Sequence, residues 1–204
     1  NNASQLAQGV TLTNPANGNQ YLIGKAVGQG GFGIVYVAFD MTHNRKVAIK
    51  EYYPSQFATR DHSSKVIPLN NTQSNRDLLN KQKKRFYQEA EKMQLFHNSP
   101  NVVNVLDYFE ANGTAYIVME FIEGQTFEQV LNRMPNKRLP LQTVLANLKP
   151  VIDILEIIHH TPYNDDKGVQ HVGITHRDIS PENIMYAADG SVKLLDFGAA
   201  RVSD

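Results

Sequence analysis

The chain of 204 residues contains no cysteine. It can therefore form no disulfide, no thiolate metal site and no cysteine nucleophile, and its fold depends on packing. With 41% hydrophobic residues it can bury a core of one or two compact units. The lack of disulfides suits a reducing compartment, so we expect a cytoplasmic protein.

The chain also lacks an excess of charge of either sign and any long apolar run. Lys plus Arg number 20 and Asp plus Glu number 20, so no overall positive field is available to hold a nucleic-acid backbone or an anionic membrane. No apolar run approaches the roughly 18 to 20 residues that a membrane helix needs, and residues 1–20 lack the apolar core of a signal peptide. We expect neither a nucleic-acid partner nor a membrane segment in this chain.

β-branched and aromatic residues cluster between turn signals in the first half of the chain. These clusters predict two or three strands within 21–50, over 21–27, 34–39 and 47–49, and two more over 102–109 and 115–121. Asn112 and Gly113, between the last two strands, are a strong hairpin signal. Residues 51–80 are polar and turn-rich without sustained periodicity, and they predict a long connection.

Helical periodicity appears in two places. Phe86, Ala90, Met93 and Phe96 predict a helix over 81–96, and a similar stripe predicts a second over 141–160, with a kink or start at Pro150. A polar loop over 161–173 and a strand pair over 184–186 and 192–195 follow. We divide the chain into a polar extension over 1–20, a β-rich unit over 21–123 and a second unit over 124–204.

Gly28, Gly30 and Gly33 form a G-x-G-x-x-G pattern within residues 28–33, which we call the glycine-rich loop. The pattern alone fits a dinucleotide-binding turn, a phosphate-covering hairpin or an ordinary Gly-rich loop. A dinucleotide fold needs a helix after the third glycine, whereas residues 34–37 predict a strand. The spacing therefore favours a hairpin, whose backbone N–H groups approach phosphates with no Cβ in the way.

Lys50 ends the third predicted strand. Alternation places Ala48 and Lys50 on one face of that strand and Glu51 on the other. A lone strand lysine usually extends to water. Glu89, however, lies on the apolar stripe of the first predicted helix, where a carboxylate needs a cationic partner. Lys50 is one candidate for that partner, and an exposed pair of Glu89 with Arg85 is the alternative.

Four motifs occur in a fixed order. They are G-Q-G-G-F-G-I-V at 28–35, V-A-I-K at 47–50, H-R-D-I-S-P-E-N at 176–183 and D-F-G at 196–198. Together they resemble the protein kinase signature set. The segment VAIKEYYPSQFATR and the ending DFGAAR also resemble bacterial serine/threonine kinases of eukaryotic type. The resemblance runs from about residue 21 to the end of the chain. It implies an α+β, protein kinase-like two-lobe fold, with an antiparallel small lobe carrying one helix and an incomplete, mainly helical large lobe.

The resemblance also implies catalytic roles. Lys50 would hold the α- and β-phosphates of ATP and pair with Glu89, and Asp178 would orient and deprotonate the acceptor hydroxyl. Asn183 and Asp196 would bind Mg²⁺. Phosphoryl transfer leaves the protein little covalent work, so fixed cations and a correctly placed carboxylate supply most of the catalysis.

A nucleotide pocket follows from the same resemblance. Met119 matches the gatekeeper, and the backbone of Glu120 and Ile122 would meet the adenine. The other residues implied to contact the nucleotide are Gly28, Gly30, Gly33, Val35, Ala48 and Met185.

Two features depart from the family pattern. Ser180 stands two residues after Asp178, where serine/threonine kinases usually carry a lysine that neutralises the γ-phosphate, so one transition-state cation is missing from its expected place. The chain also stops at Asp204, eight residues after Asp196. We expect this segment to bind adenine nucleotide and to phosphorylate a protein substrate poorly by itself.

The helix predicted over 141–160 has a further consequence if later large-lobe helices do not cover it. Leu145, Leu155 and Ile158 would then expose apolar surface, through which the chain would self-associate.

A cluster of histidines and aspartates near residue 160 resembles a metal site only superficially. Its members are His159, His160, Asp165, Asp166 and His171. Adjacent histidines at a helix end, followed by an acidic loop, are more typical of a cap and a solvated surface. We interpret 161–173 as a loop insertion.

The sequence therefore predicts an ATP- and Mg²⁺-dependent protein kinase acting on serine or threonine of protein substrates. A small-molecule phosphotransferase on the same scaffold is less favoured, because such sequences usually lack the joint H-R-D and D-F-G motifs. A nucleotide-binding or partner-binding pseudokinase is favoured by Ser180 and opposed by Lys50, Asp178, Asn183 and Asp196.

Overall fold

A computed structural model describes residues 4–134, 136, 140, 142, 146, 149–150, 153, 162–164, 167–172, 174–176, 183–195 and 200–202. The chain divides into two compact units. The first comprises Asn1–Glu91 and Asn104–Phe121, and the second comprises Lys92–Val103 and Ile122–Asp204. No helix among the described residues is long and apolar enough to cross a membrane.

A six-stranded antiparallel sheet dominates the first unit. Up to residue 121 the elements are β1 (Thr11–Thr13), β2 (Gln20–Gln29), β3 (Gly33–Asp40), β4 (Arg45–Tyr52), β5 (Ala58–Arg60), β6 (Val66–Pro68), α1 (Gln73–Gln94), β7 (Val105–Ala111) and β8 (Thr114–Glu120). The strand order is β1-β2-β3-β4-β8-β7, so β4 lies at the centre between β3 and β8. The strands predicted from the sequence in this unit are all present.

The register across β3, β4 and β8 defines two faces of the sheet. Val35, Lys50 and Ile117 pair side by side, and we call their side the Lys50 face. Glu51 pairs with Ile34 and Tyr116, and their side is the Glu51 face. Within β4, Val47, Ile49 and Glu51 are buried, whereas Ala48 and Lys50 are half-buried. The alternation predicted from the sequence is therefore present.

The hydrophobic core of the first unit lies on the Glu51 face. Its members from the sheet are Tyr21, Ile23, Ile34, Tyr36, Ala38, Val47, Ile49, Phe109, Tyr116 and Val118. Leu6, Leu12 and Tyr53 pack against them from outside these central strands. Burying a large apolar side chain contributes roughly 1.5–3 kcal/mol, so covering this face strongly stabilises the sheet.

The N-terminal residues contribute a strand that the sequence patterns did not predict. Leu12 in β1 is buried, and β1 pairs with β2 at the sheet edge. The Asn14 side chain donates to Asp107 at 2.9 Å, although 93 positions separate the two residues. A strand of three residues with one apolar side chain is too short to produce a recognisable period.

The connection predicted over 51–80 is more structured than expected. β5 and β6 form an antiparallel hairpin within it. α1 begins at Gln73, eight residues before the predicted start, where the hydroxyl of Thr72 accepts from the Asn75 amide at 3.2 Å. The first turns of α1 are polar, so the apolar stripe that revealed the helix starts only near Phe86.

The hairpin between β7 and β8 has the predicted turn. Asn112 and Gly113 both adopt positive φ, 53° and 69°, as this kind of two-residue turn requires. β7 starts at Val105 because Val102 and Val103 pair instead with Leu194 in the second unit, through a parallel bridge and a 2.9 Å hydrogen bond.

The second unit contains short elements. They are β9 (Gly124–Thr126), α2 (Phe127–Arg133), β10 (Pro162–Asn164), β11 (Gln170–Val172), β12 (Ile174–His176), β13 (Ile184–Ala187), β14 (Val192–Leu194) and β15 (Ala200–Val202). The predicted pair β13–β14 is present and extends to β9. Thr126 and Gln129 form a capping box that starts α2.

Two predictions in the second unit have different outcomes. The polar loop over 161–173 is wrong in part, because β10 and β11 form a hairpin there, with Gly168 at φ 75° between them. Val172 in β11 is β-branched, and β-branching favours extended backbone. The helix over 141–160 lies mostly outside the described residues, as do Leu145, Leu155 and Ile158.

Candidate functional site

The Lys50 face gathers four of the residues predicted to contact a nucleotide, which are Val35, Ala48, Lys50 and Met119. Ala48 pairs with Val37 on one side and with Met119 on the other. Two residues further along β4, Lys50 lies opposite Val35 of β3. The small Ala48 side chain lies between two larger apolar neighbours, of which Val37 is half-buried and Met119 is 9% exposed.

Lys50 and Glu89 are brought together. The Lys50 Nζ lies 3.5 Å from the Glu89 Oε1, with side-chain exposures of 22% and 9%. The same Nζ lies 5.7 Å from the centroid of the Phe86 ring, one turn earlier on α1. The helical stripe of α1 thus delivers a nearly buried carboxylate to the lysine.

The glycine-rich loop is a hairpin turn between β2 and β3, and a strand follows its third glycine as predicted. The Gly30 amide donates to the Gly33 carbonyl at 2.9 Å and closes the turn. A Cβ at Gly33 would lie 3.0 Å from the Glu51 carbonyl oxygen and 3.6 Å from the Lys50 Cε, whereas one at Gly30 would meet no protein atom within 4 Å. Gly33 therefore permits the close approach of β3 to Lys50. Phe32 at the tip is 65% exposed.

The end of β8 carries the residues predicted to meet adenine. Glu120 exchanges two hydrogen bonds with Asn104: the Glu120 amide donates to the Asn104 carbonyl, and the Asn104 amide donates to the Glu120 carboxylate, both at 3.0 Å. Met119 is 9% exposed. These bonds fix the backbone of Glu120 within the first unit. Ile122 belongs to the second unit and is half-buried.

In the second unit, β13 and its N-terminal neighbour hold two predicted site residues. Met185 pairs with Lys193 and with Thr126. Asn183 is half-buried, and its carbonyl accepts from the Leu195 amide at 2.8 Å. Leu195 directly precedes Asp196 in the sequence, so this bond ties the start of β13 to the residue before the predicted metal ligand.

Several predicted site residues lie outside the described residues. They are Asp178, Ser180 and Asp196 in the motifs, and His159, His160, Asp165 and Asp166 in the rejected metal cluster. Within the described residues, no group of three or more His, Asp or Glu is placed to hold a metal ion.

Sequence reasoning missed a buried cluster directly behind Lys50. Glu51 is fully buried, and its carboxylate accepts from the hydroxyls of Tyr36 at 2.9 Å and Tyr116 at 2.6 Å, and from the guanidinium of Arg60. Burial and the charge of Glu51 raise the pKa of both tyrosines well above 10.0. Burial opposes the charge of Arg60, but its hydrogen bond to Glu51 outweighs this and raises the pKa of the guanidinium.

Comparisons with known proteins are consistent across sequence and structure. The family described as protein kinase domain matches residues 21–204. A probable serine/threonine-protein kinase of Clostridium perfringens is 32% identical over 187 residues, which are 92% of this chain and 22% of that protein. The serine/threonine-protein kinase PknA of Mycobacterium tuberculosis is 31% identical over 201 residues, which are 96% of this chain and 38% of that protein.

A solved structure, PpkA-294 in its apo form, is similar with a TM-score of 0.78 and 30% identity, covering 96% of this chain and 62% of that one. The chain spans between a fifth and two fifths of the length of the two curated relatives.

Proposed function

This chain belongs to the protein kinase domain family, and on that premise we propose that it transfers the γ-phosphate of ATP to serine or threonine hydroxyls of proteins. The kinase-like α+β fold and the similarity to bacterial serine/threonine kinases, both predicted from the motifs, are confirmed. The observation that carries the proposal is the ion pair of Lys50 and Glu89 at 3.5 Å, on a half-exposed face and directly beside Gly33.

The first unit has the chemistry to bind the nucleotide. Lys50 supplies a positive charge for phosphate oxygens, and Glu89 orients it. Gly30 leaves open space where a side chain would stand, so backbone amides of the glycine-rich loop can approach an anion. Ala48 and Met119 offer an apolar surface suited to adenine. The Glu120 amide already donates to Asn104, so the hydrogen bond that Glu120 offers to adenine is through its carbonyl oxygen.

The second unit is proposed to carry the transfer machinery. Asp178 orients the acceptor hydroxyl and takes its proton. The side-chain oxygens of Asn183 and Asp196 suit Mg²⁺, which prefers oxygen ligands. Mg²⁺, when bound, neutralises charge on the phosphate oxygens. The bond between the Asn183 carbonyl and the Leu195 amide supports this pairing, because it keeps residue 183 near the residue that precedes Asp196.

A pseudokinase is the second candidate function, and Ser180 favours it. Serine at this position supplies no positive charge to the γ-phosphate, so the barrier to transfer would lack one stabilising cation. Such a protein would bind ATP and a partner without turnover.

The decisive experiment follows γ-labelled ATP in the protein that contains this chain, with and without Mg²⁺. We expect autophosphorylation that requires Mg²⁺ and disappears in Asp178→Asn, whereas calorimetry shows nearly unchanged ATP affinity in that variant. ATP binding without any transfer by the unaltered protein favours the pseudokinase. Absence of both binding and transfer contradicts both functions.

Because ATP is a cytoplasmic substrate, we also propose that this part of the protein works in the cytoplasm.

A further inference from the structure

The glycine-rich loop is held from outside by two segments of the first unit. At its tip, the Phe32 carbonyl accepts from the Tyr53 amide at 2.9 Å and the Gly31 carbonyl from the Ser55 amide at 3.1 Å. The residues before β1 reach its first arm. The Gln5 side chain donates to the Gln29 Oε1 at 3.1 Å, and the Gln29 Nε2 donates to the Ser4 Oγ at 3.0 Å.

Arg60 connects these two segments to the sheet. Its Nε donates to the Ser4 carbonyl and its Nη1 to the Ser64 carbonyl, both at 2.9 Å, and its Nη2 donates to the Glu51 carboxylate. The guanidinium also lies 5.3 Å from the centroid of the Tyr53 ring. Its side chain is 5% exposed. One buried cation therefore joins the N-terminal residues, the β5–β6 hairpin and β4.

We propose that Arg60 is a positioning residue for the glycine-rich loop. It fixes residues 4–5 and 53–55 against the loop, so that the loop already holds its phosphate-binding conformation before a nucleotide arrives. This inference rests on the proposed function, because it assumes that the loop contacts ATP. Residues 4–20 precede the part of the chain that matches the kinase family, so half of this support comes from outside the matched region.

The energetic argument concerns the ordering of the loop. A loop with four glycines among its six residues loses much conformational entropy when it closes on a ligand. Contacts that order the loop in advance reduce that cost and increase affinity. If only a fraction of molecules holds the competent conformation, the apparent dissociation constant rises in inverse proportion to that fraction.

The chemistry of the contact requires arginine. Three separate acceptors surround the guanidinium, and its planar fork presents donors to all of them at once. A lysine would keep a positive charge near Glu51 but offer a single nitrogen, so Ser4 or Ser64 would lose its partner. Arg60→Lys therefore tests positioning, whereas an apolar substitution would leave Glu51 buried without its cation and would test folding instead.

The experiment compares Arg60→Lys with Arg45→Lys. Arg45 contacts Asp40 at 3.3 Å at the opposite end of the β3–β4 hairpin, and therefore provides the same chemical change far from the loop. Two readouts are measured well below the unfolding temperature: hydrogen exchange of the amides in residues 28–33, and the affinity for ATP with Mg²⁺ by calorimetry. Chymotryptic cleavage after the exposed Phe32 is a third readout that needs no nucleotide.

In Arg60→Lys we expect faster exchange in residues 28–33 and at the Tyr53 and Ser55 amides that donate to the loop. We also expect faster cleavage at Phe32 and an ATP affinity about tenfold weaker, which corresponds to a competent fraction near one tenth. Arg45→Lys should change none of these. Two results would overturn the proposal. The loop amides of Arg60→Lys could exchange at the same rate as those of the unaltered protein. Alternatively, exchange could be accelerated equally across β7 and β8, which would indicate that Arg60 stabilises the whole unit. An unaltered protein that binds no ATP contradicts the proposed function instead, while the exchange and cleavage measurements still decide whether Arg60 orders the loop.

Discussion

The two faces of β4 differ in how far they bury a charged side chain and in how many hydrogen bonds that side chain makes. Lys50 is partly exposed and lies 3.5 Å from Glu89, whereas Glu51, the next residue, is fully buried and accepts three hydrogen bonds from charged or phenolic donors. A charge that must meet a ligand has to stay accessible and loosely paired. A charge that fixes the strand must have its hydrogen-bonding capacity filled, because burial without partners is costly. The same strand therefore combines a partly exposed, ion-paired face with a fully buried one.

Removal of the Glu51 carboxylate should destabilise the fold more than any other substitution considered below. Glu51→Ala leaves the buried Arg60 cation and two tyrosine hydroxyls without their acceptor, and we expect a loss of about 3–5 kcal/mol in the free energy of unfolding. Urea denaturation measures it. The paired substitution Glu51→Leu with Arg60→Met removes both charges and should recover most of the loss. A single variant that loses less than about 1 kcal/mol would show that the Glu51 face does not depend on this cluster.

Lys50→Ala tests the other face. We expect a fall in phosphoryl transfer on the order of 10²–10³-fold. The loss of stability should be smaller than for Glu51, about 1–3 kcal/mol, because the nearly buried Glu89 carboxylate loses this cation. Phosphate-transfer rates and thermal melts on the same samples separate the two effects. Lys46→Ala is the matched control: Lys46 lies on the same face of β4, four residues earlier, and its ammonium contacts the Phe121 ring at 3.9 Å. Loss of folding without loss of transfer per folded molecule would return Lys50 to a structural role.

Sequence reasoning reached the Lys50 face and missed the Glu51 face for a physical reason. Strand alternation and the apolar stripe of α1 together identified Lys50 and Glu89, because both signals repeat over several residues. The rule that a carboxylate among apolar residues needs a cation applies equally to Glu51, and it would have required a partner. It could not have named Arg60, which lies in a polar segment without periodicity and reaches Glu51 only through the β5–β6 hairpin.

The other misses have related causes. β1 and the polar first turns of α1 carry too few apolar residues to show a period, and the hairpin of β10 and β11 depends on backbone pairing within a polar segment. Long strands, the Asn112 and Gly113 turn and the order of the motifs were readable because each is a local pattern.

Substitutions of two loop glycines, Gly33 and Gly30, should have smaller effects, and they separate packing against β4 from nucleotide binding. Gly33→Ala would place a Cβ 3.0 Å from the Glu51 carbonyl and 3.6 Å from the Lys50 Cε, and we expect a loss of about 1 kcal/mol in stability together with weaker ATP binding. Gly30→Ala meets no protein atom within 4 Å. It should leave stability nearly unchanged and affect nucleotide affinity alone. Melting curves and calorimetric titration of both variants measure the difference, and equal destabilisation by both would contradict the close packing at Gly33.

The smallest expected effect concerns Asp40, a carboxylate on the Glu51 face with partly exposed partners. Burial raises its pKa, but hydrogen bonds from the His43 amide and imidazole and from Arg45 outweigh this and hold the pKa below its ordinary 3.8. The stabilisation is therefore present above pH 3.8 and is lost as the pH falls through the lower value in the folded state.

Unfolding measured between pH 2 and pH 6 should show this loss in the unaltered protein, by about 1 kcal/mol. The acid-dependent slope should be reduced in Asp40→Asn. An unchanged slope in that variant would assign the acid sensitivity to other carboxylates.

The position of β4 between β3 and β8 also has a consequence for the growing chain. Synthesis proceeds from the N-terminus, and β8 begins only at Thr114, after the β5–β6 hairpin and all of α1 have been made. Until then one edge of β4 has no neighbour, and Glu51 lacks the hydroxyl of Tyr116. Unpaired strand edges attract other strands. Translation of residues 53–120 is therefore an interval in which the open edge of β4 can pair with a strand of another nascent chain.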